Sequence, residues 1–428
     1  MSSVPLADRP ACALPDTPIV GAIPGIMTCV HCGFCLQACP TYLALEDEND
    51  SPRGRILIMR SLVEGELSVD DPSVHTHIDR CLGCQACETA CPSGVPYGQM
   101  LEATRATLRQ VRPIPLLGRM ILWMFARPAV LVPALAIARL TRTTRVASLL
   151  ARLPGRIGDA MAMLAASTPA LRVRPYARRG RDNRGSVALL LGCVMDGLFR
   201  HTHRATERTL AANDYRIVPA AGQRCCGALH AHAGDLDVAR SLARRNIDAF
   251  ERSDAEFIAV DAAGCGAMMK SYGHLLVEDP EWAERAAALS ARVRDVSELL
   301  ATAGPAAGSP LPHRVTYDAP CHLLHAQRLS LPPLRVLAAI PGLDLVPLVD
   351  ADQCCGAAGI YNLLEPGLSR LVLAPKVVNV ASTGADLVAT GNPGCHMQIG
   401  AGLLRAGHST RAVHPVELLD ASYAGHWM

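Results

Sequence analysis

CVHCGFCLQACP, residues 29–40, contains the pattern C-x-x-C-x-x-C-x-x-x-C-P, and the chain repeats it 52 residues later as CLGCQACETACP, residues 81–92. Thiolates are soft ligands that suit iron, and three cysteines spaced by two residues can surround one corner of a cubane cluster while the fourth reaches away. The two runs therefore predict two [4Fe–4S] clusters. The eight cysteines are Cys29, Cys32, Cys35 and Cys39 in the first run and Cys81, Cys84, Cys87 and Cys91 in the second.

The composition of the chain predicts a folded protein of two or three domains. It has 428 residues, half of which are hydrophobic, so it can bury substantial cores. A formal net charge of +2 gives no electrostatic reason for a nucleic-acid partner, and aromatic residues make up only 4% of the chain, too few for a base-stacking platform. We therefore expect no nucleic-acid partner.

The cysteine usage indicates a reducing compartment. Seventeen cysteines in a chain of this length do not fit a small secreted disulfide scaffold, and residues 1–18 contain no apolar core of signal-peptide length. We expect a cytoplasmic protein whose cysteines serve as metal ligands. Cys12 lies outside every motif and is expected to be an ordinary free thiol.

The chain divides into five segments by pattern. Ser51-Pro52 predicts a capped helix start between the two cysteine runs, and Met100 to Val111 predicts a helix after the second, so the first domain is expected to be mostly helical. The predicted segments are an extended lead-in (1–25), a di-cluster ferredoxin-type domain (26–110), an apolar and basic helical connector with a linker (111–184), and two repeats (185–305 and 306–428).

The connector has two interpretations. Its apolar stretch is interrupted at Arg127-Pro128, Pro133 and Arg139, so it does not provide the roughly 20 uninterrupted apolar residues of a membrane-spanning helix. One interpretation is an amphipathic surface that lies on a membrane or on a membrane subunit. We favour the other, helices packed on the neighbouring domains. Residues 172–184, with six arginines, are expected to form a solvated linker.

The last 240 or so residues contain an internal duplication. Four cysteines recur at offsets of 128, 129, 129 and 130 residues, and the adjacent pair is followed by Gly-Ala in both copies. The cysteines could simply be small apolar residues buried in a core, but that does not explain a recurring Cys-Cys pair with two further matching cysteines. These possible cluster ligands are Cys193, Cys225, Cys226 and Cys265 in the first copy and Cys321, Cys354, Cys355 and Cys395 in the second.

Each copy alternates strand and helix patterns. Short β-like runs such as Val187–Leu191 and Phe257–Val260 precede the cysteines, and helical patterns such as Leu236–Phe250 lie between them. This alternation predicts two α/β repeats, each with a parallel sheet whose carboxyl edge gathers the four cysteines. The predicted fold class is therefore mixed: a mostly helical ferredoxin-type domain followed by two α/β Cys-Cys-Gly domains. We assign no ligand role to the nearby His230, His322, His325 and His396.

Taken together, these motifs resemble the glycolate oxidase iron–sulfur subunits. The resemblance covers about residues 26–420 and rests on the doubled cysteine run, the Ser51–Arg55 segment and the two Cys-Cys-Gly repeats. The wider group with this layout includes iron–sulfur subunits of anaerobic glycerol-3-phosphate dehydrogenase, lactate-utilisation proteins and heterodisulfide reductase. The local sequences that favour glycolate within it are CVHCGFC (29–35), DRCLGC (79–84), LGCVM (191–195) and APCHL (319–323).

The resemblance also implies a ligand assignment. In bacterial two-cluster ferredoxins the fourth cysteine of each run serves the other cluster. Repeats of the wider group often end in C-x-x-C, but here Met268 and Gln398 stand at the last place, so a five-cysteine cluster of the heterodisulfide reductase kind is not expected. Four thiolates per repeat leave a conventional cluster or a degenerate site as alternatives. The implied sets are Cys29, Cys32, Cys35 and Cys91 for cluster 1, and Cys81, Cys84, Cys87 and Cys39 for cluster 2.

The predicted function is electron transfer within a complex. The chain contains no G-x-G-x-x-G fingerprint after a strand, so it offers no two-electron cofactor of its own. The resemblance implies a partner subunit that carries FAD and oxidises glycolate to glyoxylate, with electrons passing through this chain toward a quinone-type acceptor, peripherally at the inner face of the membrane. The alternatives are a related lactate or glycerol-3-phosphate dehydrogenase subunit, a heterodisulfide-reductase-like catalytic subunit, or a scaffold with vestigial clusters.

Overall fold

The computed structural model describes residues 12–176, 180–181 and 183–425. The first part of the predicted lead-in and part of the predicted arginine-rich linker lie outside the described residues. The chain forms two compact units. The N-terminal unit extends to Arg119 and includes Leu229–Leu236, and the C-terminal unit comprises Met120–Ala228 and the chain from Asp237 onward. The units therefore divide the chain differently from the five predicted segments, most clearly at residues 229–236, which the sequence pattern placed in the first repeat.

The described part of the N-terminal unit consists of helices and turns and contains no strand. The Ser51 side chain accepts a hydrogen bond from the Gly54 amide and caps α3 at the predicted start. The helix predicted over Met100–Val111 lies within α6. The helices are α1 (Ile23–Thr28), α2 (Pro40–Leu45), α3 (Pro52–Glu64), α4 (Pro72–Asp79), α5 (Ala86–Thr89) and α6 (Tyr97–Val111), with 3₁₀ turns at Pro18–Ala22 and Glu48–Asp50.

A buried ion pair organises the N-terminal unit. The Arg55 side chain on α3 is fully buried and donates hydrogen bonds to the His77 carbonyl (2.7 Å), Thr41 Oγ1 (3.0 Å) and Asp50 Oδ1 (3.1 Å). Asp50 is fully buried too, and its second oxygen accepts a hydrogen bond from Arg80 Nη1 at 2.9 Å. Because these partners lie on separate elements, Arg55 joins α3 to α2, to α4 and to the intervening turn.

The connector forms four helices, and its apolar side chains are largely exposed. Trp123 is 50% exposed and Ile137 is 66% exposed, whereas Leu122 and Leu131 are buried. The favoured interpretation, packing on the neighbouring domains, holds for one side of this segment only: residues 128–143 contact residues 194–198, and residues 155–166 contact residues 393–405. No single helix of the described residues is long and apolar enough to cross a membrane, although α7 and α8, bent by 100°, pass that test as a pair. The helices are α7 (Leu116–Phe125), α8 (Pro128–Thr143), α9 (Val146–Leu150) and α10 (Gly155–Ala166).

Each repeat contains a four-stranded sheet whose strand pairs are all parallel, which confirms the predicted fold class. The strand order is β2-β1-β3-β4 in the first sheet and β6-β5-β7-β8 in the second. The outer strands β4 and β8 did not emerge from the sequence pattern. The strands are β1 (Ser186–Leu189), β2 (Arg216–Ile217), β3 (Phe257–Val260), β4 (Val293–Asp295), β5 (Arg314–Tyr317), β6 (Asp344–Val346), β7 (Leu387–Ala389) and β8 (Arg411–Val413).

The helices of the two repeats exchange contacts reciprocally. The longest helix between the first two strands of each repeat packs against the last helix of the other, α12 against α23 and α19 against α18. One hydrophobic core, with members from both sheets, therefore serves both repeats. The helices are α11 (Val194–Leu198), α12 (Arg200–Ala212), α13 (Ala228–Ala233), α14 (Leu236–Glu251), α15 (Ala263–Lys270), α16 (Tyr272–Leu275), α17 (Ala283–Arg292), α18 (Val296–Ala303), α19 (Leu331–Ala338), α20 (Tyr361–Leu364), α21 (Pro366–Ser382), α22 (Pro393–Arg405) and α23 (Pro415–Ala424).

The glycine after each Cys-Cys pair is required by the backbone. Gly227 has a φ of 90° and Gly356 a φ of 79°, in the left-handed region that other residues rarely adopt. A Cβ on Gly356 would also lie 2.6 Å from the Ser369 carbonyl oxygen. The Cys-Cys loop of the second repeat therefore packs against α21 at backbone distance, and the same turn recurs in the first repeat.

We expect replacement of Arg55 to destabilise the N-terminal unit. Arg55→Leu removes one cation from a fully buried carboxylate, and breaking such a pair costs about 3–5 kcal/mol. The matched control is Arg60→Leu on the same helix, which breaks an exposed pair with Glu64 and should cost about 0.3–0.5 kcal/mol. Urea unfolding of the anaerobic, cluster-loaded protein measures both free energies. Equal losses for the two variants would contradict a structural role for the buried pair.

Candidate iron–sulfur centres

Four predicted cluster ligands surround one cavity in the N-terminal unit. Cys29, Cys32 and Cys35 lie in the loop after α1, and Cys91 follows α5; all four line this cavity, and Cys87 lines it as well. Cys32 is exposed, whereas Cys29, Cys35 and Cys91 are half-buried. The structure therefore places the last cysteine of the second run beside the first three of the first run. That these four residues bind a [4Fe–4S] cluster stays a prediction. Their position around one cavity agrees with it.

The other four cysteines of the two runs, Cys39, Cys81, Cys84 and Cys87, are all buried. Burial raises the pKa of the Cys87 thiol well above its ordinary value, and the nearby Cys84, Cys81 and Cys39 raise it further. Burial likewise raises the pKa of Cys39, although Arg55 acts in the opposite direction. These effects place the four thiols in one neighbourhood, and that neighbourhood adjoins the first set, because burial, Cys29 and Cys39 all raise the pKa of Cys35.

Hydrogen bonds from three sides hold Cys81 in place. Its Sγ accepts from the Gly83 amide at 3.4 Å and from the Tyr97 hydroxyl at 3.6 Å, and its carbonyl accepts from Arg105 Nη2 at 2.6 Å. Arg105 also donates to the His232 carbonyl at 2.7 Å, so it fixes the 229–236 segment within the same unit. The loop that carries the second run is therefore positioned by α6.

The donor chemistry fits two [4Fe–4S] clusters. Each cluster needs four cysteine thiolates, and the N-terminal unit provides two sets of four free thiols. Arg55 Nη1 lies 4.0 Å from Cys39 Sγ, which places a buried positive charge beside one set. Such a charge favours thiolate formation and offsets the negative charge of a bound cluster. When bound, a cluster of this kind accepts and releases one electron at a time.

The first repeat brings its four cysteines together. Cys193 Sγ and Cys225 Sγ are 3.6 Å apart. The hydrogen bond with Cys225 and then burial raise the pKa of Cys193 well above its ordinary value. Hydrogen bonds with Cys225 and Cys265, followed by burial, do the same for Cys226. The four sulfurs therefore form one contiguous group, although the cysteines come from three separate loops.

Two polar side chains behind this group support the Cys-Cys loop. Asn246 on α14 donates to the Cys225 carbonyl at 3.1 Å and accepts from the Arg224 amide at 2.7 Å. The Tyr272 hydroxyl donates to the Cys226 carbonyl at 2.7 Å. Both supporting residues are fully buried and neutral, so the loop is held without a charge beneath it.

The second repeat differs in its cysteine contacts. A hydrogen bond with Cys354 lowers the pKa of Cys355, but a hydrogen bond with Cys395 and burial outweigh it and leave that pKa well above its ordinary value. These three sulfurs are therefore neighbours. Cys321 precedes a π-helical turn, His322–Ala326, and its Sγ lies 3.5 Å from His322 Nδ1.

A buried lysine replaces the neutral support in the second repeat. Lys376 on α21 corresponds to Asn246 at an offset of 130 residues. Its Nζ donates to the carbonyls of Asp350 (2.6 Å) and Ala351 (3.1 Å) and lies 3.0 Å from Asp318 Oδ1. Burial lowers the pKa of Lys376, but Asp318 outweighs this effect and keeps the ammonium charged. The two cysteine groups therefore lie in different electrostatic environments.

The loops that carry the last cysteines of the two repeats are directly joined. Asn392 Oδ1 accepts from the Gly264 amide at 3.2 Å, and Asn392 Nδ2 donates to Cys395 Sγ at 3.4 Å. Gln327 Nε2 donates to the Ala263 carbonyl at 2.9 Å, which ties the π-helical turn to α15. One side chain thus connects the backbone beside Cys265 to the sulfur of Cys395.

A buried histidine–carboxylate pair lies beside the first repeat's cysteine loop. His203 Nδ1 is 2.7 Å from Asp261 Oδ2, and His203 Nε2 is 2.9 Å from the Leu191 carbonyl. Burial lowers the pKa of His203, but Asp261 outweighs it and raises the value to about 9. His396, one of the four histidines singled out in the sequence, is instead kept neutral, because burial lowers its pKa to about 3.

The side chains that support the cysteines were not predicted from the sequence. Arg55 belongs to the Ser51–Arg55 segment, which the sequence marks as a helix start and as part of the family resemblance but not as support for a cluster, and Asn246 carries no motif of its own. Alignment of the two repeats against each other would have found Lys376, since a lysine opposite an asparagine in a chain with two lysines is a visible departure. The close approach of Asn392 to Gly264 depends on how the repeats pack and has no signal in the sequence.

Comparisons with known proteins agree with this architecture. A 4Fe-4S dicluster domain model matches residues 25–95, and a cysteine-rich domain model matches residues 187–270 and 315–400. The chain is 37% identical over 423 residues to the probable glycolate oxidase iron–sulfur subunit of Bacillus subtilis (strain 168), a match that covers 94% of each chain.

Two further relatives show the breadth of the group. Identity is 34% over 410 residues to the glycolate oxidase iron–sulfur subunit of Escherichia coli (strain K12), with 92% of this chain and 93% of the relative covered. Lactate utilization protein A of Exiguobacterium sp. is 30% identical over 237 residues, which cover 55% of this chain and 97% of the relative. Since the match to the first two relatives spans nearly the whole chain, this protein belongs to the family of glycolate oxidase iron–sulfur subunits.

Proposed function

We propose that this chain carries electrons, one at a time, from a separate FAD-containing subunit that oxidises glycolate to glyoxylate. The observation that supports the proposal is that the two cysteine runs meet in the N-terminal unit of a chain of this family: Cys29, Cys32, Cys35 and Cys91 line one cavity, and the other four cysteines are buried. The relatives named for lactate utilisation match only about half of this chain, so the near-complete match to glycolate oxidase subunits favours glycolate over lactate.

The electron balance explains the division into subunits. Oxidation of glycolate to glyoxylate releases two electrons and two protons, and a flavin can take both electrons together. Iron–sulfur clusters pass electrons singly. A quinone takes two electrons and two protons to become a quinol, so two successive single transfers through this chain complete one turnover. Catalysis at the substrate belongs to the partner subunit, and this chain alone is not expected to oxidise glycolate.

Within this proposal the cysteines have defined roles. Cluster 1 is held by Cys29, Cys32, Cys35 and Cys91, and cluster 2 by Cys81, Cys84, Cys87 and Cys39. Arg55 helps to position the second set of cysteines. Its positive charge would offset the negative charge of the thiolates and of the bound cluster. The cysteine groups of the two repeats are candidates for further clusters, and their contact through Asn392 would allow electrons to pass between them.

Catalysis of heterodisulfide reduction by the repeats themselves is disfavoured by the side chains at the last motif position. Met268 is buried at the place where a fifth cysteine of the first repeat would stand. In the second repeat Gln398 occupies that place, and it donates to Ser369 Oγ at 2.9 Å and accepts from Asn362 Nδ2 at 2.9 Å. Both positions are thus filled by side chains with structural contacts.

The acceptor and the location are part of the same proposal. The exposed apolar side chains of α7 and α8 would lie in the headgroup region at the cytoplasmic side of a membrane. The chain would then be close to a quinone dissolved in the bilayer. Arg119 on α7 and Arg127, which lies between the two helices, are exposed and would contact lipid phosphates. The protein would then be attached peripherally rather than by a membrane-spanning helix.

We expect removal of a single cluster ligand to separate flavin reduction from electron delivery. In the assembled complex, Cys29→Ser should leave reduction of the flavin by glycolate at the wild-type rate and lower delivery to an external acceptor at least a hundredfold. The matched control is Cys12→Ser, a half-buried cysteine outside every motif, which should change neither rate. Stopped-flow absorbance of the flavin and steady-state acceptor reduction measure the two rates. Loss of flavin reduction in Cys29→Ser would contradict the proposed division of labour.

Membrane attachment through α8 is tested by a charge on its exposed face. Ile137 and Val378 are almost equally exposed, at 66% and 65%, but Val378 lies on α21 and belongs to neither α7 nor α8. Ile137→Glu should lower binding to anionic phospholipid vesicles about tenfold or more, because it places a charge where an apolar side chain would be buried. Val378→Glu should bind like the wild type. Vesicle co-sedimentation measures both, and equal binding of all three proteins would contradict attachment through α8.

A further inference from the structure

The surface around Cys32 in the N-terminal unit is apolar. Among the described cysteines only Cys32 is exposed. On either side of it in the chain, Val30 is 66% exposed and Phe34 is 68% exposed. Met27 at the end of α1 and Leu57 on α3 are exposed too. We call Met27, Val30, Phe34 and Leu57 the cluster 1 face, and an exposed apolar patch of this kind is typical of an interaction surface.

The loop that carries Val30 and Phe34 has a defined conformation. His31 and Gly33 have φ angles of 54° and 85°, both in the left-handed region. Arg53 Nη1 donates to the His31 carbonyl at 3.3 Å, and a Cβ on Gly33 would lie 3.1 Å from the same nitrogen. The packing of Arg53 on this loop thus fixes its two turns. The exposure of Phe34 is therefore a built feature of the loop.

The cluster 1 face lies in a part of the chain that lacks charge. Charged residues make up 19% of the sequence, but residues 17–45 and 89–101 contain no aspartate, glutamate, lysine or arginine. These two ranges include Cys91 and the whole first cysteine run. Of the four charged residue types, only Arg53 lines the cavity of this cysteine set, and Glu48 at 2.8 Å matches its charge.

The charges nearest to Leu57 on α3 are matched within the unit as well. Arg53 lies one turn before Leu57, and Arg60 lies one turn after it and pairs with Glu64 at 2.8 Å. An apolar centre without charge, with charged side chains only around it, is the composition of a protein–protein interface.

This composition distinguishes between three possible occupants. A membrane surface would call for lysine or arginine beside the apolar side chains, and Arg53 is already paired. A diffusing redox protein would be steered by an uncompensated patch of charge, which residues 17–45 and 89–101 do not supply. A rigid, apolar and uncharged face suits a protein subunit that stays bound.

We propose that the cluster 1 face is the permanent docking surface of the FAD-containing subunit and that electrons enter this chain there. The inference rests on the proposed function and gives its partner a binding surface. The second set of cysteines is buried, whereas the first set includes the exposed Cys32, so a docked partner comes closest to the first set. Electrons would enter singly at that set, and the reduced flavin of the partner is oxidised in return. Phe34 would be the central anchor, in an apolar cleft of the partner.

The test measures the affinity of the full, cluster-loaded chain for the purified flavin subunit. Phe34→Glu and Leu57→Glu each place a charge in the apolar face, and each should raise Kd at least tenfold. Iron content and the EPR spectrum after reduction with dithionite should stay those of the wild type. Phe34→Leu, which keeps an apolar side chain, should bind more tightly than Phe34→Glu. The matched control is Leu371→Glu on α21, which is equally exposed at 55% and should bind like the wild type.

The outcomes separate this inference from the proposed function. Wild-type affinity in both glutamate variants would overturn the docking surface and leave the proposed function standing. If Phe34→Glu loses iron, Leu57→Glu decides, because Leu57 does not line the cavity of the cysteines; wild-type affinity in that variant also overturns the inference. Weaker binding to phospholipid vesicles, with unchanged affinity for the flavin subunit, would assign the face to a membrane instead. A wild-type chain that forms no complex with the flavin subunit would contradict the proposed function, and the docking surface with it.

Discussion

Thiolates repel one another, yet four of them must be held together to bind one [4Fe–4S] cluster. The N-terminal unit provides eight cysteines for two such clusters, and its contacts hold the cysteine loops close together. In the proposed arrangement each run contributes three cysteines to one set and its fourth to the other, so the two loops must be held together. The loops then need support from outside. Arg55 gives it by joining α3 to the elements around it while its charge faces Cys39, and Arg105 gives it by holding the Cys81 carbonyl. The helices of this unit serve mainly to place those two arginines and the loops they support.

The two repeats bring their cysteines together with the same α/β scaffold, but the side chains beside the cysteines differ. Parallel strands bring the cysteine loops to one edge of each sheet, as the topology dictates. Reciprocal packing of α12 with α23 and of α19 with α18 gives both sheets a common core. The duplication has diverged beside the cysteines: Asn246 supports the first cysteine group as a neutral side chain, and the charged Lys376 stands at the corresponding place in the second. We infer that clusters bound at the two groups would differ in the ease with which they accept an electron, since a buried ion pair, Lys376 with Asp318, stands beside one group and a neutral amide beside the other.

Much of this architecture was predictable from local sequence, because it is encoded in short-range patterns. The cysteine spacing, the Ser51 cap and the 128–130-residue repeat all depend on residues near one another in the chain, and the strands next to the cysteines follow from their apolar runs. What could not be predicted depends on tertiary packing. β4 and β8 are three residues each and lack a distinctive pattern. The association of residues 229–236 with the N-terminal unit depends on the hydrogen bonds of Arg105 and Arg109 to backbone carbonyls, which have no sequence signature. The exposure of α7 and α8 was misjudged because hydropathy measures how apolar a helix is and not what covers it.

In the proposed function, this chain conducts electrons through its N-terminal clusters from a flavin subunit that glycolate has reduced. The most direct measurement is rapid freeze-quench EPR of the anaerobic complex after addition of glycolate, with iron and acid-labile sulfide determined on the same sample. We expect at least eight iron atoms per chain, and we expect reduced [4Fe–4S] signals to appear after flavin reduction and before reduction of the acceptor. Clusters that stay oxidised while glycolate turnover to the acceptor proceeds would contradict the proposed function.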